Sequence, residues 1–255
     1  MGNGGFLINN IAPGCLGISA DSIASGYDVN SVLNGFVSDV FRSASSIVNI
    51  DIEMAEPVPF TAIAIINHNI TEGSSINLRL SNTGFTAFDE TINMSSNWYS
   101  RYIYKKDESG ELIKTFASNL YTTFEEKTYK YIRVEIDSSL YVQIGEIFIG
   151  DVFQFTRNYN WGFGLVFTTD KNIENLNGQY IESQVSEQQG YKLEFDGVLP
   201  TEYEKFKHLF REGMKIFVPD MDLKECFHGI INSTTFEVRR EYYTDNFTLN
   251  FMENF

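Results

Sequence analysis

Hydrophobic and polar residues alternate along much of the chain, and the period is that of strands rather than helices. Ile50, Ile52 and Met54 share one face of the segment 47–54, with Asp51 and Glu53 on the other. Pro57 and Pro59 interrupt the pattern, as proline does between strands. Phe60 to Ile66 is then a continuous apolar run, which predicts a buried strand closed by Asn67-His68-Asn69. Ser75 to Ser81 alternates strictly and meets the turn Asn82-Thr83-Gly84. Lys105 to Glu111 is a charged tip, the exposed end of a hairpin or loop. Tyr129 to Ile136 alternates again, and Tyr141 to Ile149 predicts a further strand ending at Gly150-Asp151.

A second unit begins near Asp151. Strands are expected over 152–155, 163–168, 180–185 and 191–198. Lys171 to Gly178 reads as a loop, and the polar run Ser186 to Gly190 separates the last two strands. One helix is expected over about 202–212. Thr201 and Glu204 form a capping box, and Tyr203, Phe206, Leu209 and Phe210 follow on one face. Gly213 ends it. Strands at 215–218, 226–231, 236–239 and 247–251 complete the chain. Residues 1–45 are rich in Gly, Asn and Ser without periodicity, and read as an irregular N-terminal arm. The fold class is therefore mainly β. An arm over 1–45 precedes a strand-rich domain over 46–151, and a β domain with a single helix spans 152–255.

Composition agrees with the strands. The chain has 255 residues, 22 of them Phe and 14 Tyr, and aromatic and β-branched residues fit a pleated, half-buried surface. The formal net charge of −15 repels phosphate backbones and anionic lipid, so neither nucleic acid nor membrane insertion is expected. The two cysteines, Cys15 and Cys226, fit no metal or redox spacing and read as free thiols of a reducing compartment. The residues after Met1 lack the basic and apolar regions of a secretory signal.

The candidate chemistry is thin. His68, His208 and His228 have no ligand spacing among them, so no metal site is expected. Cys226 and His228 share a strand face, but that spacing alone activates no thiol. Asp220-Met221-Asp222 is too incomplete for a calcium loop. Gly162-Phe163-Gly164 is too short to cradle a phosphate, so no cofactor is expected. No catalytic set emerges, and the chain is not read as an enzyme. The aromatic run Trp98 to Tyr104 remains. Trp98, Tyr99 and Arg101 are the candidate ligand-binding residues, because exposed aromatics and arginine suit contacts with sugars or proteins.

Four segments resemble the discoidin-like, coagulation-factor type C family: Val48 to Ile52, Phe60 to Asn69, Lys130 to Ile136 and Ile144 to Gly150. The resemblance implies a jelly-roll β-sandwich that binds glycans, lipids or proteins through loops at one end. The family's terminal cysteine pair is absent. The second half resembles a domain that follows such sandwiches in bacteriophage tail proteins. It does so through Arg157 to Gly162, the strand Tyr191 to Phe195, the segment after Pro200 and the last strands to Phe251. Together they imply a non-catalytic virion protein of a phage tail or baseplate, assembled in the host cytoplasm. It would be a homo-oligomeric adaptor joining the tail to fibres or host-contact proteins. The alternative is a carbohydrate-binding module recognising a host surface glycan.

Overall fold

The computed structural model describes residues 3–70, 73–94, 102–106, 112–116, 119–155, 164–176, 179–198, 209, 215–219, 226–235 and 245–253. Strands make up 61% of it, so the mainly-β expectation holds. The chain divides into two compact units. Unit 1 comprises Met1–Gln154 and Val218–Phe227, and unit 2 comprises Phe155–Phe217 and His228–Phe255.

Unit 1 is built on one long antiparallel pair. Its strands are β1 (Gly5–Ile8), β2 (Gly17–Ala20), β3 (Phe41–Arg42), β4 (Ile47–Ile66), β5 (Ser75–Ser81), β6 (Glu90–Asn93), β7 (Tyr102–Lys106), β8 (Leu112–Phe116), β9 (Asn119–Asp137), β10 (Gln143–Ile144) and β11 (Glu146–Gln154). The order through the main sheet is β1-β11-β4-β9-β5-β6, with β2 also on β4. β3 and β10 form a small sheet of their own, and β7 pairs with β8 across the expected charged tip. Lys105 and Lys106 of that tip end β7, and its residues 107–111 lie outside the described residues.

β4 is continuous where the prolines were expected to split it. Ile47–Glu53 pairs with Asp137–Tyr131, and pairing resumes at Val58 opposite Tyr129, so residues 54–57 bulge against Lys130 alone. A bulge inserts unpaired residues without ending a strand, and that is where Pro57 is tolerated. A second shift falls between Phe60 and Ala62 and displaces residues 124–126 of β9.

The alternating segments bury what their pattern predicts. Val48, Ile50, Ile52, Ile76, Leu78, Leu80, Ile132, Val134 and Ile136 are fully buried in one core. Each such side chain contributes roughly 1.5–3 kcal/mol on leaving water. The core is closed by Phe41 and Ile144 of the small sheet, by Val142 just before it, and by Ala12, Val29 and Val32 of two 3-10 turns, giving a two-layer, sandwich-like packing. Ala62 to Ile66 and Ile147 to Gly150 are buried on both faces, as the continuous apolar runs require.

The first 45 residues differ from the expected irregular arm. β1 pairs with Asp151–Gln154 and β2 with Ile50–Glu53, while Val29, Val32 and Phe41 enter the core. Strands of four residues carry too few alternations to register as a period, and here the long neighbouring strands supply the pairing.

The strands of unit 2 are β12 (Gly164–Leu176), β13 (Gln179–Val198), β14 (Lys215–Val218, whose last residue belongs to unit 1), β15 (Phe227–Thr235, whose first residue belongs to unit 1) and β16 (Asp245–Glu253), in the sheet order β12-β13-β16-β15-β14. Residues 171–176, expected as a loop, continue β12. The polar run 186–190, expected as a break, is the middle of β13. All thirteen residues of β12 pair with β13, with one shift at Asp170/Lys171. Ladder hydrogen bonds join main chains and need no apolar face, so a polar strand in a ribbon escapes a reading based on hydrophobic period. The core of this unit includes Tyr191, Phe217 and Phe251, whose rings lie 5.6–6.2 Å apart, with Leu193 and Leu249 buried beside them in sequence. The expected helix over about 202–212 lies outside the described residues except for Leu209, which is buried.

Candidate functional site

Trp98, Tyr99 and Arg101 lie outside the described residues, so the structure does not place the candidate ligand-binding set. The described part of unit 1 presents a different site, made where the two bulges of the β4–β9 pair meet the β5–β6 turn.

A cleft of about 430 Å³ opens there, lined by Asn82, Asp89 and Glu90 on one side and residues 126–129 on the other. Asn82 anchors it. Its Oδ1 accepts from the Lys130 backbone N–H at 3.0 Å, and its Nδ2 donates to the Thr128 carbonyl at 3.3 Å. Its own N–H donates to Asp89 Oδ2 at 3.0 Å, closing the turn. This is the role turn asparagines take, with a side chain standing in for backbone partners.

Glu90 is shared by two neighbours. Lys127 Nζ lies 2.7 Å from its Oε1, and the Tyr129 hydroxyl donates to its Oε2 at 3.4 Å. The hydrogen bond to Glu90 pushes the Lys127 ammonium pKa up. Burial, followed by the charge of Glu90, raises that of Tyr129. Glu126 stands exposed on the displaced segment of β9. The cleft thus sets carboxylates, an amide and an ammonium around a half-buried aromatic ring. Those groups can hydrogen-bond several hydroxyls, and Tyr129, whose ring packs partly against the core, lines the cleft beside them.

Beside the cleft, the outward face of the sheet is knitted by charge. Arg133 makes a two-point contact with Asp51, and Lys130 pairs with Glu53 at 3.1 Å. Arg79 pairs with Glu135 at 2.8 Å. The β5–β6 turn folds back on this face, so that Arg133 lies 5.6 Å from the Phe85 ring centre and 5.1 Å from that of Phe88. Phe85 also meets Tyr131 edge to face.

The other candidate groups are dispersed. His68 is buried after β4, where its Nδ1 accepts from the Ile70 N–H at 3.1 Å, and burial lowers its pKa to about 3. His228 is buried in β15, and His208 lies outside the described residues. Cys15 is half-buried and Cys226 buried, both as free thiols. Asp220 and Asp222 lie outside the described residues. Among the described residues no group of three or more His, Cys, Asp or Glu is placed to hold a metal ion, and no helix is long and apolar enough to cross a membrane.

Sequence reading recognises the turn at Asn82 but not its partner. Residues 82–90 and 126–129 are some forty positions apart, and only the β5–β9 register brings them together. Nothing local marks Lys127 or Tyr129 as different from any other strand residue.

Fold and cleft define a mainly antiparallel β protein whose first unit is a two-layer β packing with a polar, aromatic-bearing cleft. No family model matches the sequence, and no curated protein matches it. Among solved structures, the chain is similar to a chitosan-binding module of a chitosanase/glucanase from Paenibacillus sp. IK-5, at 14% identity and a TM-score of 0.38, over 55% of this chain and 97% of that one. It is similar to the lectin domain of lectinolysin complexed with Lewis B antigen, at 15% identity and a TM-score of 0.38, over 59% and 99%. A Ruminococcus gnavus GH29 fucosidase matches at 12% identity and a TM-score of 0.42, over 57% of this chain and 27% of its own. None of these three is a tail or baseplate protein. At these scores the likeness fixes neither family nor ligand.

Proposed function

We propose that unit 1 is a non-catalytic saccharide-recognition module and that the cleft between Asn82 and Tyr129 receives the sugar. The observation that carries this reading is the pairing of an open polar cleft with the Tyr129 ring. Sugars present hydroxyls in the plane of the ring and C–H groups on its faces, and the cleft offers partners for both. Glycan-array screening of the full chain tests it. Binding to at least one saccharide is expected, weakened about tenfold or more by Tyr129→Ala and by Glu126→Ala, a loss of roughly 1.4 kcal/mol. Absence of any bound saccharide, or binding that both variants leave intact, sinks the reading.

A second reading is the adaptor of a phage tail or baseplate, residing in the virion and assembled in the host cytoplasm. Besides the sequence resemblance, one feature of unit 2 supports it. β13 pairs with β16 only over residues 190–198, whereas its pairing with β12 continues to Gln179. From Gly190 outward β12 and β13 form a two-stranded ribbon among the described residues. Such a ribbon is marginal alone in water and gains stability when a further strand or surface covers it. Antibody labelling of purified particles in the electron microscope should place the protein on the tail. Particles that lack it count against this reading and leave the saccharide reading standing.

A further inference from the structure

The outer face of the small sheet carries hydrogen-bonding groups that the chain itself leaves unused. β3 and β10 set Arg42 opposite Gln143 and Phe41 opposite Ile144. Phe41, Val142 and Ile144 enter the core, so by alternation Arg42, Tyr141 and Gln143 face outward. The Arg42 guanidinium stacks 3.7 Å from the centre of the Tyr141 ring, and the centre of the Tyr27 ring lies 5.9 Å from the same group. A turn brings Tyr27 there. Its N–H donates to the Ala24 carbonyl at 3.2 Å, and the Ala24 N–H donates to the Arg42 carbonyl at 2.9 Å. Asn69 holds the other side, donating to the Tyr141 carbonyl at 2.9 Å and accepting from the Gln143 N–H at 2.7 Å. Separate segments of the chain are thus fixed on one face.

Of the arginines whose side chains are described, Arg79 and Arg133 each hold a carboxylate, and Arg42 holds none among the described residues. The acids near it in sequence are engaged by asparagines. Asp21 accepts from the backbone and side-chain N–H groups of Asn49, Asp28 from those of Asn30, and Asp39 from the side-chain amide of Asn34. Among the described residues the Tyr27 and Tyr141 hydroxyls and the Gln143 side-chain amide make no hydrogen bond either. Both tyrosines are exposed.

A guanidinium backed on a ring is held in place with its fork of N–H donors free at the edge. That edge fits a carboxylate, which takes two parallel N–H···O bonds. The amide and the two phenolic hydroxyls beside it supply the donors and acceptors that sugar hydroxyls require. A single guanidinium neutralises a single carboxylate, and a polyanion would bring its further charges against a chain of net charge −15. Screening over about 8 Å at physiological ionic strength leaves the local cation to decide for a ligand with one charge.

We propose that this face is a site for an acidic saccharide, in which Arg42 grips the carboxylate of a sialate or uronate residue while Gln143, Tyr27 and Tyr141 take its hydroxyls. The site shares no residue with the cleft between Asn82 and Tyr129 and stands whether or not that cleft binds sugar.

Isothermal titration calorimetry of the full chain tests it. The probes are sialyllactose, a xylooligosaccharide bearing one glucuronate, the methyl ester of each, and a short aspartate peptide. At least one of the acidic saccharides is expected to bind, with its methyl ester, which keeps the sugar and loses the charge, about tenfold or more weaker. Arg42→Gln should weaken the acid by a similar factor, and Arg42→Lys should not restore it, because an ammonium keeps the charge without the fork. Tyr141→Ala removes the ring behind the guanidinium and should weaken it too, with circular dichroism confirming the fold of each variant. Failure of both acidic saccharides to bind overturns the proposal. So does a methyl ester bound as tightly as its acid, or Arg42→Gln binding like the wild type. An aspartate peptide bound as tightly as the saccharides assigns the face to a protein partner and overturns it as well. Acid binding lost in Tyr129→Ala but kept in Arg42→Gln belongs to the cleft, and overturns this site while leaving the saccharide reading of the cleft in place.

Discussion

Arg133 and Asp51 face each other across the β4–β9 ladder and are joined twice, Nε to Oδ1 at 2.5 Å and Nη2 to Oδ2 at 2.7 Å. Both side chains are about four-fifths buried, and Asp51 raises the already high pKa of the guanidinium. Two parallel charge-assisted bonds fix register as well as adding energy. Asp51→Ala leaves the guanidinium half-covered by Phe85 and Phe88 without its anion, and should cost about 2 kcal/mol in urea denaturation. Arg133→Lys should lose part of this, because an ammonium cannot reproduce the fork. A midpoint unmoved by Asp51→Ala would show the pair to be surface decoration.

His68 makes stability depend on pH. Its folded pKa, lowered by burial from 6.5 to about 3, lies below that of the unfolded chain. The unfolded state therefore binds a proton first as pH falls. The stability held above pH 6.5 is lost progressively down to about pH 3, with a slope near 1.4 kcal/mol per pH unit from this group. Urea melts at intervals between pH 7 and pH 4 (a range chosen about the two pKa values) should show that slope reduced in His68→Gln. An identical slope in both proteins removes His68 as its cause.

Gly145 is where backbone meets backbone. A Cβ there would lie 2.4 Å from the Val37 carbonyl oxygen and 3.0 Å from Asn67 Cβ. Asn67 is itself fixed by its Nδ2 bond to that same carbonyl at 2.6 Å and by a positive φ of 50°. Gly145→Ala must therefore move main chain, and a loss of about 2–3 kcal/mol is expected. A thermal melt with an unchanged midpoint would show that residues 35–39 yield freely.

Unit 2 has its own set of buried rings, Phe155, Tyr191, Phe195, Phe217 and Phe251. Phe251 contacts both Tyr191 and Phe217 and is fully buried. Phe251→Ala should cost about 3–5 kcal/mol. Proteolysis should then open sites in residues 155–217 before any in residues 3–70. Cleavage that begins instead in unit 1 contradicts the assignment of Phe251 to a separate core.

The alternation of residues 47–54, 75–81 and 129–136 was enough to specify strands and their inward faces, because one side of each had to leave water whatever its partner. The run 60–66 likewise announced burial on both faces. The ends of strands were less legible. β4 passes through Pro57 as a bulge, β13 runs through a polar stretch, and β1 and β2 are too short to show a period. In each case main-chain pairing to a distant segment decides, and pairing leaves no mark on side-chain type. The candidate sites lie furthest from the sequence. Asn82 meets residues 126–129 through the β5–β9 register, and Arg42 meets Tyr141 through a two-residue ladder with β10. Hydrophobic period is a property of neighbours along the chain, so the sequence determined strands and core. The cleft and the Arg42 face are properties of neighbours across it, and only the tertiary structure set them.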